Sequence, residues 1–223
     1  MASCCEPDPD GYRDMFTASR ARRSAQRFRA KGLDRDSRRI VDFLVTLGIQ
    51  GASVLDIGGG VGPLHLELLR RGAARATSIE LVDSYDAEAD ALARELGLAG
   101  RVTRLHGDLA ADPDLVSRHD IVVMHRVVCC YPDATRLLAV AADRAGRALV
   151  FSHPPRNLLA RAAVGAENLT RRARGQSFRV FVHDPRAMGD VAADGGRLQP
   201  RLRHHGLAWD IAAFCADPST LPV

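Results

Sequence analysis

The sequence predicts an α/β fold: a mostly parallel seven-stranded sheet, Rossmann-like, with helices on both faces and a C-terminal antiparallel strand. Three observations carry this expectation. Short apolar runs of strand length alternate with longer segments whose apolar residues recur at helical spacing, the pattern of a parallel sheet with crossover helices. One junction is a loop made almost wholly of glycine, Gly58 to Gly62, set between the run Val54-Leu55-Asp56-Ile57 and the helical Leu64, Leu66, Leu68 and Leu69. The chain closes with two strand-like runs turning at His205-Gly206, a hairpin that supplies the antiparallel strand.

The elements follow in order. Residues 1–10 hold Pro7, Pro9 and few apolar side chains and are expected to form a disordered tail. Residues 11–50 read as a helical segment: an Arg-rich helix from Tyr12 to about Ala30, then another over 34–47, where Ile40, Leu44 and Leu47 share a face and Gly48 ends the helix. The sheet domain occupies 51–223. Its first strand, about 52–57, enters the glycine loop, and Pro63 opens a helix that Gly72 closes. The second strand, about 75–80, ends at Glu80. A helix over about 84–96, capped by Ser84 and stopped by Gly97, leads to a third strand at 101–106. The fourth, Ile121 to Met124, runs out into His125-Arg126-Val127-Val128-Cys129-Cys130-Tyr131-Pro132, and Pro132 starts a helix reaching about Ala145. The fifth strand, 147–152, is followed by an insertion at about 155–184, with a helix within 156–175 and a strand from Phe178 to Val182. Asp184 and Pro185 then cap and open another helix, and strands at about 197–204 and 207–215 complete the sheet.

Composition bounds the function. A chain of 223 residues suits one domain with a substantial core. With 26% charged and 46% hydrophobic residues it is ordinary for a globular protein. It has neither an apolar run near the roughly 20 residues of a membrane span nor a signal-peptide pattern, so a cytoplasmic location without a membrane span is expected. The five cysteines are odd in number, form the vicinal pairs Cys4-Cys5 and Cys129-Cys130, and lack C-x-x-C spacing, which excludes a disulfide framework and gives no zinc motif. Net charge is +4, nearly all of the positive charge being arginine, since Lys31 is the only lysine. The Arg20–Arg39 stretch reads as a solvated helix face; contact with an anionic substrate and a nucleic-acid surface are the other readings. Only Phe28 supplies an aromatic ring there for base stacking.

Glycine permits positive φ and close approach of a ligand to the backbone, and a following helix start offers free N–H groups. Dinucleotide sites use Gly-x-Gly-x-x-Gly. Here the spacing is Gly58-x-Gly60-x-Gly62, Pro63 stands where a third dinucleotide glycine would fall, and Asp56 lies two residues before the first glycine. This pattern resembles motif I of the class I S-adenosylmethionine (SAM) methyltransferases. The resemblance implies that the loop lies under the methionine and ribose of SAM, with Asp56, Gly58, Gly60 and Gly62 as cofactor-binding residues. An acid at the tip of the second strand of a doubly wound sheet can accept both ribose hydroxyls. Glu80 holds that place, with Asp83 as the nearby rival. The resemblance further implies that Asp108, with Leu109 beside it, sits against the adenine.

The layout over roughly residues 12–215 resembles the magnesium-protoporphyrin O-methyltransferase branch of that class, which also carries a helical insertion after the fifth strand and then an aromatic-x-His element, here Phe181-Val182-His183. That branch has a histidine directly before Tyr-Pro in the loop after the fourth strand; here Cys130 precedes Tyr131-Pro132. The chain lacks the Asn/Asp-Pro-Pro-aromatic element of amino-directed nucleic-acid enzymes and the clustered acid and amide ligands of metal-dependent catechol-type enzymes, so no metal is expected.

The expected activity is transfer of a methyl group from SAM to an oxygen or nitrogen of a small-molecule acceptor in an enclosed cleft, leaving S-adenosylhomocysteine (SAH). His125 is the candidate base, Arg126 the residue to fix an anionic acceptor, and Tyr131 the group to orient substrate or touch the sulfonium. Tyr12 and Phe16, at i, i+4 spacing, would give the inner face of an N-terminal lid. Cys130, His153 and His183 are further substrate candidates. Three alternatives accompany this reading: a SAM-binding protein without catalysis, an RNA methyltransferase using the Arg-rich stretch, and methylation of a metalloid held by Cys129 and Cys130. Oligomeric state is left open.

Overall fold

The computed structural model of the protein describes residues 7–217. Helices α1 (Pro9–Met15), α2 (Ala18–Lys31) and α3 (Arg35–Thr46) precede strand β1 (Ser53–Ile57). Then come α4 (Pro63–Arg70), β2 (Arg75–Glu80), α5 (Asp86–Glu95), β3 (Val102–His106), β4 (His119–Met124), α6 (Ala134–Arg144) and β5 (Ala145–His153). The helices α7 (Leu158–Ala173) and α8 (Pro185–Ala192) and the hairpin β6 (Leu198–His204) and β7 (Asp210–Ala216) complete the chain.

The sheet has seven strands in the order β3-β2-β1-β4-β5-β7-β6. β1 to β5 pair in parallel, while β7 runs antiparallel to both β5 and β6. This is the sheet the sequence predicts. Its strands carry apolar residues on both faces, as burial from both sides requires. Val54, Ile121, Val123 and Val150 pack with Ile40, Leu44, Leu68 and Leu92 from α3, α4 and α5. Leu55, Val122, Met124 and Phe151 pack with Leu137, Leu138 and Met188 from α6 and α8 on the other face. The strand order reverses between β1 and β4, the topological switch point at which open α/β sheets form a crevice beyond their carboxyl ends.

Several boundaries differ from expectation. Of the tail expected over 1–10, residues 1–6, with Cys4 and Cys5, lie outside the described residues. The chain is already helical at Pro9, because the Asp8 carboxylate accepts from the Asp10 amide and caps α1. The single helix expected from Tyr12 to about Ala30 is two, broken at Phe16 and Thr17, whose backbones leave the helical region. Ser84 does not cap α5, since its hydroxyl donates to the Phe16 carbonyl at 2.5 Å, tying that break to the sheet. α6 starts two residues after Pro132, because the Asp133 carboxylate accepts from the Arg136 amide.

The strand expected from Phe178 to Val182 is absent. That segment is held by isolated contacts: Phe181 N–H donates to the Cys129 carbonyl at 2.7 Å, and the Asn168 side chain bonds both backbone groups of Val180. Apolar spacing suggested a strand, but no sheet edge is available beside it, since β5 is already paired by β4 and β7.

Candidate active site

Loops after β1, β2, β3 and β4 meet over the switch point and enclose a cavity of about 300 Å³, within the range of small-molecule sites. Its floor is the glycine loop. Gly58, Gly60 and Gly62 have φ of 65°, 63° and 85°, the left-handed region that glycine occupies without penalty. A Cβ on Gly58 would stand 2.7 Å from a Val127 methyl, so here the loop also needs glycine for close approach to the β4 loop.

Beneath the loop, Asp56 is sealed from solvent and does not line the cavity. Its Oδ2 lies 2.8 Å from Nδ1 of His65, itself buried in the first turn of α4. Its Oδ1 has no protein partner. Gly62 also lies outside the cavity; a Cβ there would fall 2.4 Å from the His65 ring. Asp56 and Gly62 therefore shape the loop from below, and the expectation that they face the ligand is corrected.

Glu80, at the tip of β2, is buried and lines the cavity. Its Oε1 accepts the Gly60 amide at 2.5 Å. Burial pushes its carboxyl up to about 8, opposed by the Arg104 guanidinium and the Gly60 N–H. Arg104, on β3, donates to the Gly60 carbonyl at 3.1 Å and pairs with Asp86 at 3.0 Å. Glycine loop, Glu80 and Arg104 are thus one hydrogen-bonded unit. At the other end of the cavity, both Asp108 oxygens accept from the Tyr131 hydroxyl, at 2.9 and 2.8 Å, with Leu109 buried beside them. Tyr131 was expected at the reacting group; its hydroxyl is instead committed to Asp108.

The loop after β4 supplies the remaining wall. His125 Nδ1 lies 2.9 Å from Ser152 Oγ, which also accepts the Arg126 amide at 2.9 Å. The buried Nε2 of His125 has no protein partner. Burial first, and the adjacent Arg126 charge second, hold this imidazole down at about 4. It is neutral near pH 7 and a weaker base than an unperturbed histidine, which departs from the expected general base.

Arg126 has a φ of 63°, strained for a residue with a side chain. Its guanidinium pairs at 3.1 Å with Asp34, the N-cap of α3, and at 3.7 Å with Asp36 in the first turn, and lies 5.3 Å over the Trp209 ring. It lines the cavity, but its charge is already matched, against the expectation of a free anchor for an anionic acceptor. Cys130 also lines the cavity, with its sulfur 3.6 Å from that of Cys129.

His153 and His183 do not reach the cavity. His153 Nδ1 sits against the Pro154 carbonyl, and His183 donates from Nε2 to the Tyr131 carbonyl at 3.0 Å, bracing the β4 loop from behind. Both leave the set of substrate candidates. Tyr12 and Phe16 close the mouth, packed with Phe178 and, through Phe16, with Tyr85. The Tyr12 hydroxyl donates to the Cys130 carbonyl. Among the described residues no group of three or more His, Cys, Asp or Glu is placed to hold a metal.

His65, Arg104, Tyr85 and Ser152 also build the site, although the sequence does not mark them. None has a distinctive local motif. The one usable hint was His65, polar in the apolar first turn of α4 and nine residues after Asp56.

The fold has counterparts among solved structures. The magnesium protoporphyrin IX methyltransferase of Synechocystis, solved with bound SAH, superimposes with a TM-score of 0.71 at 20% identity, over 94% of this chain and 100% of that one. This is the class I methyltransferase fold. An O-methyltransferase family 2 protein of Planctomyces limnophilus, solved in complex with apigenin, matches with a TM-score of 0.64 at 17% identity, covering 88% of this chain and 62% of the other. A TehB-like SAM-dependent methyltransferase of Corynebacterium glutamicum matches at 0.59 and 17%, over 89% and 99% of the two chains. No protein-family model and no curated protein sequence matches the chain. Within this methyltransferase fold, the cavity lies where the glycine loop after β1 faces the loop after β4.

Proposed function

We propose that the chain is a SAM-dependent methyltransferase acting on an oxygen or nitrogen of a small molecule, with SAH as the second product. One observation carries the reading. The glycine loop, the Glu80 carboxylate and the Asp108 carboxylate, from three separate loops, converge on a single cavity at the switch point of a methyltransferase fold.

The residues present fit the cofactor. The glycine loop leaves its backbone open to the cavity, and two carboxylates stand at different stations along the wall, suited to a diol and to an amino group. Glu80 would take the ribose hydroxyls, Asp108 the adenine amino group with Leu109 against the ring, and Gly58 and Gly60 the methionine end. Bound SAM supplies a methyl group on a good leaving group, so the chain's own task is to hold an acceptor atom in line with it and exclude water. Neutral His125, anchored on Ser152, offers its unpartnered Nε2 for a hydrogen bond to the acceptor. Tyr131 orients Asp108. Tyr12 and Phe16, carried on the N-terminal helices 11–50, and the 155–184 insertion, through Phe178, form a lid over the cleft.

A buried cleft under an aromatic lid favours a small acceptor over a polymer. Among the described residues no helix is long and apolar enough to cross a membrane. We place the protein in the cytoplasm on the sequence pattern alone. A second reading rests on the thiols: Cys130 lines the cavity, and the buried Cys129 sulfur stands 3.6 Å behind it, a pair that would hold a metalloid acceptor. Retained activity in a Cys129→Ser, Cys130→Ser double variant removes it.

The test is calorimetric titration with SAM and SAH of the wild type and a Glu80→Ala, Asp108→Ala variant, both of whose positions line the cavity, followed by turnover assays with small carboxylates, phenols and amines. Micromolar binding that the variant loses, with turnover of at least one acceptor, is the expected result. Binding without turnover of any acceptor would identify a SAM sensor instead. Binding of neither ligand would remove the proposal. RNA affinity that falls steeply with salt would point to the nucleic-acid alternative.

A further inference from the structure

Helix α7 is 16 residues long and none of them is buried. Its inner side makes few contacts: Asn168 bonds Val180, and the Arg171 guanidinium lies 5.4 Å over the Phe178 ring. Its outer side is apolar. At 100° per residue, Leu158, Leu169, Ala162, Ala173, Ala166 and Leu159 fall within one arc of about 100°. The three leucines are 84%, 70% and 80% exposed for Leu158, Leu169 and Leu159. Hydrophobic residues scattered singly on a surface need no account, but a continuous stripe along one unpartnered helix does.

The charge around the stripe says what covers it. Arg161 and Arg172 border it on one side, and Arg174 follows at the helix end. All three are exposed and none has an ion-pair partner among the described residues, whereas Arg156 pairs with Asp184 and Arg171 with Glu167. Pairing with a second copy through the same stripe would set the unmatched arginines of two helices against each other. A basic protein partner fits no better. An apolar stripe edged by unpaired arginines is the design of a helix that lies in the plane of a bilayer surface, leucines in the acyl boundary and guanidinium groups among anionic headgroups.

We propose that α7 docks the protein on an anionic lipid bilayer surface as a peripheral, reversible contact. This is independent of the reaction at the cavity.

The experiment is co-sedimentation of the full chain with vesicles of phosphatidylcholine alone and of phosphatidylcholine mixed with phosphatidylserine. The expected result is binding to the mixed vesicles, roughly tenfold weaker at about 0.5 M salt than at about 0.05 M as the surface charges are screened. Leu158→Ser with Leu169→Ser, and separately Arg161→Glu with Arg172→Glu, should each lose at least tenfold in binding with unchanged thermal unfolding, since every one of these positions is exposed. Equal binding to both vesicle types, or binding to neither at low salt, overturns the proposal. So does a concentration-dependent dimer in sedimentation velocity that the Leu158→Ser, Leu169→Ser variant abolishes, which would assign the stripe to self-association.

Discussion

The His65 imidazole lies 2.8 Å from the Asp56 carboxylate, and both side chains are shut away from solvent beneath the glycine loop. Asp56 faces the α4 side of β1, and a Cβ on Gly59 would fall 2.3 Å from its Oδ2. The acid two residues before the first glycine is therefore a pillar for the loop, and the His65 ring fills the space that a side chain at Gly62 would need. Gly62→Ala should destabilise the fold by about 1–3 kcal/mol, through both its left-handed backbone and this clash. In a His65→Ala background the clash is gone and only the backbone cost remains, so the second alanine should cost measurably less. Denaturant unfolding of the four proteins of this cycle checks it. An identical cost in both backgrounds would mean that His65 is not what demands glycine at position 62.

Tyr131 and Asp108 define the far end of the cavity. The tyrosine hydroxyl satisfies the carboxylate and fixes its direction. Tyr131→Phe should weaken SAM binding about three- to tenfold, the loss of one charge-assisted hydrogen bond that acts by positioning. The kcat at saturating cofactor should stay within about twofold. Calorimetry and steady-state kinetics together check this. A fall in kcat with unchanged cofactor affinity would place Tyr131 at the reacting end after all.

His125 should not titrate in the working range. Burial and the neighbouring Arg126 hold its pKa at about 4, so the ring is neutral from roughly pH 5 upward. The pH profile of kcat/KM should show no ascending limb centred near 6.5. His125→Gln, which keeps a neutral hydrogen-bonding group, should retain activity within about tenfold, while His125→Ala should lose more. An ascending limb near 6.5 that vanishes in His125→Gln would restore a general-base role.

What the sequence revealed and what it hid have physical causes. The sheet was legible because β1, β4 and β5 are buried on both faces and read as apolar runs, and because a loop with three residues at positive φ must be spelled in glycine. Glu80 could be expected at the cavity because the tip of the second strand has a fixed place in the topology, and Asp108 only because the family resemblance implied it; both line the cavity, their contacts to a cofactor being part of the proposal. The partners of those residues were not legible. Tyr131 meets Asp108 across 23 positions and Arg104 meets the Gly60 carbonyl across 44, distances over which no local pattern runs. His153 and His183 looked like site residues because they follow a strand or an apolar run. They turn instead to backbone carbonyls, which only packing determines. The missing strand at 178–182 has the same origin: periodicity reports a face to bury, whereas a strand also needs an open edge to pair with.

Glu80 makes stability depend on pH. Its carboxyl sits at about 8 in the folded chain against 4.5 when unperturbed, because burial penalises the charged form. A raised folded value means that the contribution is fully present below about 4.5 and is lost as pH rises to about 8, above which it changes no further. Glu80→Gln keeps an oxygen to accept the Gly60 amide and removes the ionisation. Wild type and variant should unfold at similar temperatures near pH 4.5, and the variant should gain on the wild type through the window up to pH 8, by a few kcal/mol at most. SAM affinity should drop in the variant at pH 8.5, where the wild-type carboxylate is ionised and offers two acceptor oxygens to the proposed diol contact against the amide's one, and should differ less at pH 4.5 and 6.5, where the wild-type carboxyl is neutral. Thermal unfolding at pH 4.5, 6.5 and 8.5, with calorimetry at each, separates the two effects. A stability difference that does not move with pH would show that the carboxyl titrates at its ordinary value. The Arg104 and Gly60 contacts would then balance its burial in full.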